Sequence, residues 1–341
     1  MAVAFSLPCP PPRASDFPEW LDDNSHLLAD WLELTAFVNP SGQTYLNDLV
    51  DALDLCWDQE AEIIHERDQL IDDIGSIIAE EIGTRSRVLS NSYPFVVSRD
   101  GSSIVVHEPL SDGSTTYLLC LILSHATRSD IVDKRMAPSQ SDLHAARNAL
   151  FEGCATLAAA AICNGPSFRI GALRRGAGGL LDKLNEIWQL VGDGSVRTEP
   201  HDDAPQGVND GGVDVIAFAP MPDRRSGSIL LFGQAASGHN WDGKEIGERV
   251  KKRFSQDWFD PVPASPIRSA TFVPFRVLGD LHRLTHGHEM IVDRLRLPYF
   301  AARARDLEAN GIGPIECLDI IEDVRDWVNQ QKDHMTETWE S

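Results

Sequence analysis

The sequence predicts an α/β protein built in two parts. An acidic, mostly helical region covers residues 16–140 behind a loose lead-in of residues 1–15, and a domain with a mixed sheet flanked by helices covers residues 141–341. Three observations predict it. Apolar residues recur at helical spacing in the first half, short β-branched and aromatic runs bounded by turn residues occupy the second, and the charge changes between them. Residues 1–164 hold 9 Lys+Arg against 25 Asp+Glu, residues 165–305 hold 19 against 17, and residues 306–341 hold 2 against 10. With 42% of its 341 residues apolar and 24% charged, the chain has a globular composition and the length of two domains.

The lead-in carries Pro8, Pro10, Pro11 and Pro12, which exclude both helix and ladder. A helix follows in which Leu27, Leu28, Trp31 and Leu32 share a face, and Ile63, Ile64, Leu70, Ile71, Ile74 and Ile78 mark another over residues 58–82. Two strands around Asp100-Gly101 read as a hairpin. The apolar run TTYLLCLILSHA reads equally as buried strand or buried helix. From Ser141 an Ala-rich helix runs to its stop at Asn164-Gly165, and a second helix ends at Gly192. Residues 193–212 form a polar loop. The runs VDVIAFAP and SILLFGQ, separated by MPDRRSG, predict an antiparallel pair of strands. After Asp242-Gly243 comes a helix with Ile246, Val250, Phe254 and Trp258 on one face, then a strand at SATFVPFRV. Ile315, Leu318, Ile321, Val324 and Val328 mark a final amphipathic helix.

Composition also excludes functions. No run of 18 apolar residues occurs, and the first residues lack the basic start and long apolar stretch of a secretory leader, so the expectation is a cytoplasmic protein with no membrane partner. Six scattered cysteines without a C-x-x-C pair suggest neither a zinc ribbon nor a disulfide framework. A net charge of −22 repels nucleic acid, yet the middle block escapes the acidic excess and is where a polyanion would bind.

The candidate chemistry lies in that block. Asp214 is a carboxylate in an otherwise apolar strand, where an ionised group costs several kcal/mol unless a metal or a partner compensates it. Gln234 ends the next strand, so the two side chains can meet at one edge of the sheet. Gathered oxygens suit magnesium or manganese, and in phosphodiester hydrolysis such an ion activates water and stabilises the departing oxygen.

Asp210-Gly211-Gly212-Val213-Asp214 followed by Gly233-Gln234-Ala235-Ala236 resembles the PD-(D/E)XK nuclease superfamily, in particular its type IV restriction endonuclease-like branch, whose strands carry a D-G-G-x-D-like motif and then Q-x-K. The resemblance covers about 130 residues. It implies a restriction-endonuclease-like sheet and a Mg2+- or Mn2+-dependent DNA endonuclease that restricts foreign DNA or acts against phage. It also implies a metal site made by Asp214, Gln234, the Ala235 carbonyl and Glu152, the last on the helix before the first strand. The lysine position of Q-x-K is Ala236, and Lys244 at the start of the next helix stands where a relocated catalytic lysine could reach back. His239, Asn240 and Trp241 follow the second motif and could contact nucleic acid, as could the basic Lys251, Lys252 and Arg253.

The same residues have plainer readings: Asp214 as a salt-bridged strand carboxylate, Gln234 as a hydrogen-bonding strand end, Glu152 and Lys244 as solvated helix residues, Trp241 as a core cap, and the basic run as a solvated face. His282, His286 and His288 lack the H-E-x-x-H pattern and read as structural. The rival function is a catalytically degenerate nuclease fold serving as a DNA-binding or scaffold subunit of a defence complex. RNA remains open as substrate, as does a homo-oligomer. The acidic N-terminal region reads either as a phosphate mimic restraining the basic face or as the dock of a partner protein.

Overall fold

The computed structural model describes residues 16–56, 64–99, 101–128, 131–171, 177–202, 204, 212–238, 240–243 and 246–340. It is a mixed α/β protein whose contacts divide it into two units: Met1–Gln140 with Asp326–Ser341, and Ser141–Arg325.

The first unit is helical around a small sheet. It runs α1 (Phe17–Val38), β1 (Gln43–Tyr45), α2 (Leu46–Cys56), α3 (Ile64–Leu89), β2 (Phe95–Val97), β3 (Ser103–Val106) and α4 (Asp112–Arg128). β2 and β3 form the expected hairpin, with Gly101 at φ +74° in its turn, and β1 pairs antiparallel on the far side of β3 to give the order β1-β3-β2. The ambiguous run TTYLLCLILSHA is helix: every residue from Thr115 to Leu123 is buried, so α4 is the central helix of the unit and shows no polar face.

α1 is also buried along its whole second half, and its acidic residues Asp30 and Glu33 are answered internally. The fully buried Arg85 of α3 donates from Nη1 to Asp30 (2.5 Å) and Glu33 (2.8 Å) and from Nε to Glu81 (2.9 Å). The hydroxyls of Tyr93 and Tyr117 each donate to Glu33 at 2.7 Å, and His125 Nε2 lies 2.7 Å from Asp30 Oδ2. Buried charges persist when paired and hydrogen-bonded in this way.

The second unit holds α5 (Gln140–Ala145), a π-helical stretch over Ala146–Phe151, α6 (Glu152–Cys163), β4 (Ser167–Arg169), α7 (Ala177–Val191), β5 (Val215–Ala219), β6 (Ile229–Ala235), α8 (Ile246–Arg249), a π-helical stretch over Val250–Phe254, α9 (Ser255–Trp258), β7 (Ile267–Phe272), α10 (Leu281–His288), β8 (Met290–Val292), α11 (Leu297–Ala301) and α12 (Ala304–Ala309). Its sheet has the order β4-β5-β6-β7-β8, antiparallel across the first three strands and parallel across the last three. Leu184, Ile187 and Trp188 of α7 pack with Phe254 and Trp258 onto Phe168, Ile216 and Phe232 of the strands. α6, whose run of alanines lets backbones approach closely, contacts β4, β5 and β6. It stops as its sequence predicts, at Asn164 in the left-handed conformation. Gly165 is required there, because a Cβ would lie 2.0 Å from the Phe218 carbonyl oxygen.

The last helix, α13 (Ile320–Glu340), differs from the sequence reading, which kept residues 141–341 together. Residues from Asp326 onward belong to the first unit, where Trp327, Val328 and Met335 are buried, Thr336 Oγ1 donates to the Val38 carbonyl (3.0 Å) and Lys332 Nζ lies 5.3 Å from the centre of the Phe37 ring. No helix among the described residues is long and apolar enough to cross a membrane.

Candidate active site

At the end of β4 the chain turns through Gly171, and two carboxylates converge there. A Cβ placed on Gly171 would lie 2.6 Å from Glu152 Oε2 and 3.1 Å from Asp214 Oδ1. Both acids are buried, Glu152 at the start of α6 and Asp214 just before β5. The β5–β6 pairing aims Asp214. Its N–H donates to the Gly233 carbonyl (2.8 Å), its own carbonyl accepts from Ile170 (2.7 Å) and Gly171 (3.2 Å), and its Oδ2 accepts from the Ala235 N–H (2.9 Å). Gln234 is half-buried beside this pair, with its amide nitrogen 3.3 Å from where a Cβ on Gly212 would lie. Gly212 has φ +83°, a conformation only glycine adopts without strain.

Arg169 completes the cluster. From β4 its Nε and Nη2 each reach Glu152 Oε2 at 3.2 Å, and Nη2 also donates to the Asn148 carbonyl in the π-helical stretch that leads into α6. Such π segments shift the register of the helix beyond them and recur at functional sites. The Arg169 N–H donates to Glu316 Oε2 (2.9 Å), and the other oxygen of Glu316 pairs with Lys183 of α7. Burial works against the Lys183 ammonium, but its bonds to Glu316 and Glu186 outweigh that and raise its pKa above the ordinary lysine value. Cys317 follows at φ +66°; burial pushes its thiol up while the Arg169 charge pulls it back.

The other residues singled out in the sequence fall elsewhere or beyond description. Trp241 is buried against Ala236, Val273, Phe275 and Ile291, with its ring centre 5.4 Å from that of His288, so its surface is spent on packing. Asn240, Lys252 and Arg253 are exposed, and Arg253 Nε lies 3.7 Å from Asp257. His239, Lys244 and the side chain of Lys251 lie outside the described residues, as do Asp210 and Gly211 of the first motif. Ala236, at the motif's lysine position, is buried in the Trp241 cluster. His288 is buried between Thr271 Oγ1 (2.9 Å) and the Asp242 carbonyl (3.2 Å), whereas His282 and His286 meet edge to face on α10.

Sequence reasoning passed over Arg169, Gly171 and Glu316. The available signal was an arginine and a glycine closing the short apolar run Phe168–Ile170, between the helix of Glu152 and the strand of Asp214. Among the described residues, no group of three or more His, Cys, Asp or Glu side chains could by itself hold a metal ion. Glu152 and Asp214 supply two, and Gln234 and Ala235 stand on the neighbouring strand β6. Oxygen donors of this kind are the ligands that Mg2+ or Mn2+ takes. No family model, curated protein or solved structure matches the chain.

Proposed function

We propose that the second unit is a divalent-metal-dependent phosphodiester hydrolase with a restriction-endonuclease-like sheet, acting on DNA in the defence of a cell against foreign genomes. The observation that carries this reading is the approach of the Glu152 and Asp214 carboxylates to one point over Gly171. A magnesium or manganese ion held there would lower the pKa of water and neutralise charge on a phosphoryl oxygen. The chain's own residues divide the rest. Glu152 and Asp214 offer oxygens, the Ala235 N–H fixes the Asp214 rotamer, and Gln234 borders the site. The resemblance offers Lys244, outside the described residues, as one candidate for the relocated lysine. In the reaction the water oxygen bonds to phosphorus, one ester P–O bond breaks, and the departing alkoxide takes up a proton as the water gives one up.

The test is plasmid cleavage with Mg2+ or Mn2+ at several salt concentrations, wild type against Asp214→Ala. Cleavage by the wild type alone supports the reading; equal cleavage by both overturns it. The buried Ala236 favours one rival, a degenerate nuclease fold retained as a DNA-binding or scaffold subunit. Salt-sensitive DNA binding without cleavage, unchanged in Asp214→Ala, would select that rival.

A further inference from the structure

Resting on the hydrolase reading, we infer that Arg169 is the cation that binds the substrate phosphate, in the role the motif gives to the lysine replaced by Ala236. Ala236 is buried in an apolar cluster with Trp241 and Val273, where the ammonium of a lysine would be unfavourable. Arg169 instead reaches Glu152 from the opposite antiparallel neighbour of β5, and its guanidinium is a positive group that the described residues place at that carboxylate. Its side chain keeps 17% of its surface exposed while that of Glu152 keeps 4%, so Arg169 is the more solvent-accessible member of the pair.

The hydrogen bonds fit this role. Nε and Nη2 of Arg169 share a single oxygen, Glu152 Oε2, at 3.2 Å, longer than the roughly 2.7–2.9 Å usual for a charge-assisted bond, and that same oxygen lies against Gly171. When Oε2 turns to a divalent ion, the Nε and Nη2 hydrogens lie parallel and free to grip two oxygens of one phosphate, the bidentate geometry that a lysine cannot offer. The Asn148 carbonyl anchors Nη2 from behind, and Glu316 holds the Arg169 backbone, so the fork stays in place through that exchange.

The experiment separates a phosphate-binding role from a clamp on Glu152. Mn2+ binding is titrated calorimetrically on the full chain without substrate. Binding of a 5′-phosphorylated thymidine dinucleotide to the Mn2+-loaded protein, and plasmid cleavage, are then measured for wild type, Arg169→Ala, Arg169→Lys and Lys244→Ala, with thermal unfolding as a check on folding. The expected result for Arg169→Ala is Mn2+ affinity within threefold of wild type, dinucleotide binding weakened at least tenfold, and kcat lowered about 100-fold or more, the usual cost of removing one transition-state donor. Arg169→Lys, which keeps the charge and the fold but loses the fork, should fall between. Parallel loss of Mn2+ and dinucleotide binding in both Arg169 variants would make Arg169 a structural clamp. Wild-type dinucleotide binding and kcat in Arg169→Ala, with loss in Lys244→Ala, would return the role to Lys244. Either result overturns this inference and leaves the hydrolase reading standing, whereas a wild-type protein that binds neither Mn2+ nor the dinucleotide overturns both.

Discussion

The Ala235 N–H donates to Asp214 Oδ2 at 2.9 Å, so one oxygen of the aspartate is tied to the neighbouring strand and the other is turned toward Gly171 and Glu152. A carboxylate divided in this way is oriented before any ligand arrives, which is what a metal or transition-state site requires of its donors. Asp214→Asn tests the division, since an amide oxygen can still accept from Ala235 while the charge is lost. We expect wild-type thermal stability within about 1 kcal/mol. Mn2+ affinity should fall by at least the roughly 10- to 100-fold that loss of a supporting residue already costs. Calorimetric titration beside thermal unfolding reads both, and unchanged Mn2+ affinity would remove Asp214 from the site.

Gly171 makes a steric prediction at the same place. A methyl group there would sit 2.6 Å from Glu152 Oε2 and 3.1 Å from Asp214 Oδ1, so Gly171→Ala must push the carboxylates apart. Overpacking of this kind costs about 1–3 kcal/mol. The substitution should therefore lower the melting temperature modestly while abolishing Mn2+ binding and cleavage. Gly83→Ala is the control, because a Cβ there meets nothing within 4 Å and alanine favours helix.

Asp193 carries a pH prediction. Trp188 Nε1 donates to its carbonyl, and its side chain accepts from Ser226 Oγ (2.9 Å), the Ala264 N–H (3.2 Å) and the Ser265 N–H (2.7 Å), tying the β5–β6 loop to the segment before β7. Burial alone would raise its pKa, but the bonds from Ser265, Ser226 and Ala264 prevail and hold it below the ordinary value. A folded-state pKa below the unfolded one contributes stability that is fully present above the unfolded value, about 3.9, and is lost as pH falls through the folded one. Asp193→Asn should thus be less stable at pH 7 by about 1.5–3 kcal/mol and lose less on acidification below pH 4 than wild type. Urea denaturation at a series of pH values gives both numbers.

How much of this was legible in the sequence depended on the length over which each signal was spread. β5 and β6, five and seven residues long, announced themselves through continuous apolar runs bounded by turn residues, whereas β1, β4 and β8, three residues each, are too short to stand out. α4 stayed ambiguous because a helix buried on every side has no amphipathic pattern to read. The π-helical stretches at Ala146–Phe151 and Val250–Phe254 answer to tertiary packing and left no local mark. In the site, Asp214 was visible as a carboxylate among apolar residues. Its pairing with Glu152 came only through the family resemblance, because β4, which lies between them, is too short to read, and with that strand unseen neither Arg169 nor Gly171 had a place. The final helix shows the same limit. Its apolar stripe was plain, but which unit the stripe would cover is decided by surfaces such as Phe37 and Val38, far away in the chain.

The buried Arg85 network yields a last prediction, confined to the first unit. Arg85 binds Asp30, Glu33 and Glu81, and although burial works against its charge, Glu33 and its neighbours raise its pKa well above the ordinary arginine value. Arg85→Met fills most of the space but removes the guanidinium, leaving the buried Asp30 with His125 and the buried Glu33 with the hydroxyls of Tyr93 and Tyr117 as their partners. Breaking a buried pair on one side costs about 3–5 kcal/mol. In the variant those carboxylates should have folded-state pKa values above their unfolded ones, so the stability they contribute is present below about pH 4 and is lost as pH rises toward neutrality. Arg85→Met should accordingly be nearer to wild type at pH 5 than at pH 7, the reverse of an ordinary acid-labile protein. Hydrogen exchange followed by mass spectrometry locates the effect. Amides of α1, α3 and α4 should lose protection at pH 7 and recover part of it at pH 5, while those of β5, β6 and β7 keep theirs. Equal loss at both pH values would mean that these carboxylates are neutralised by something other than Arg85.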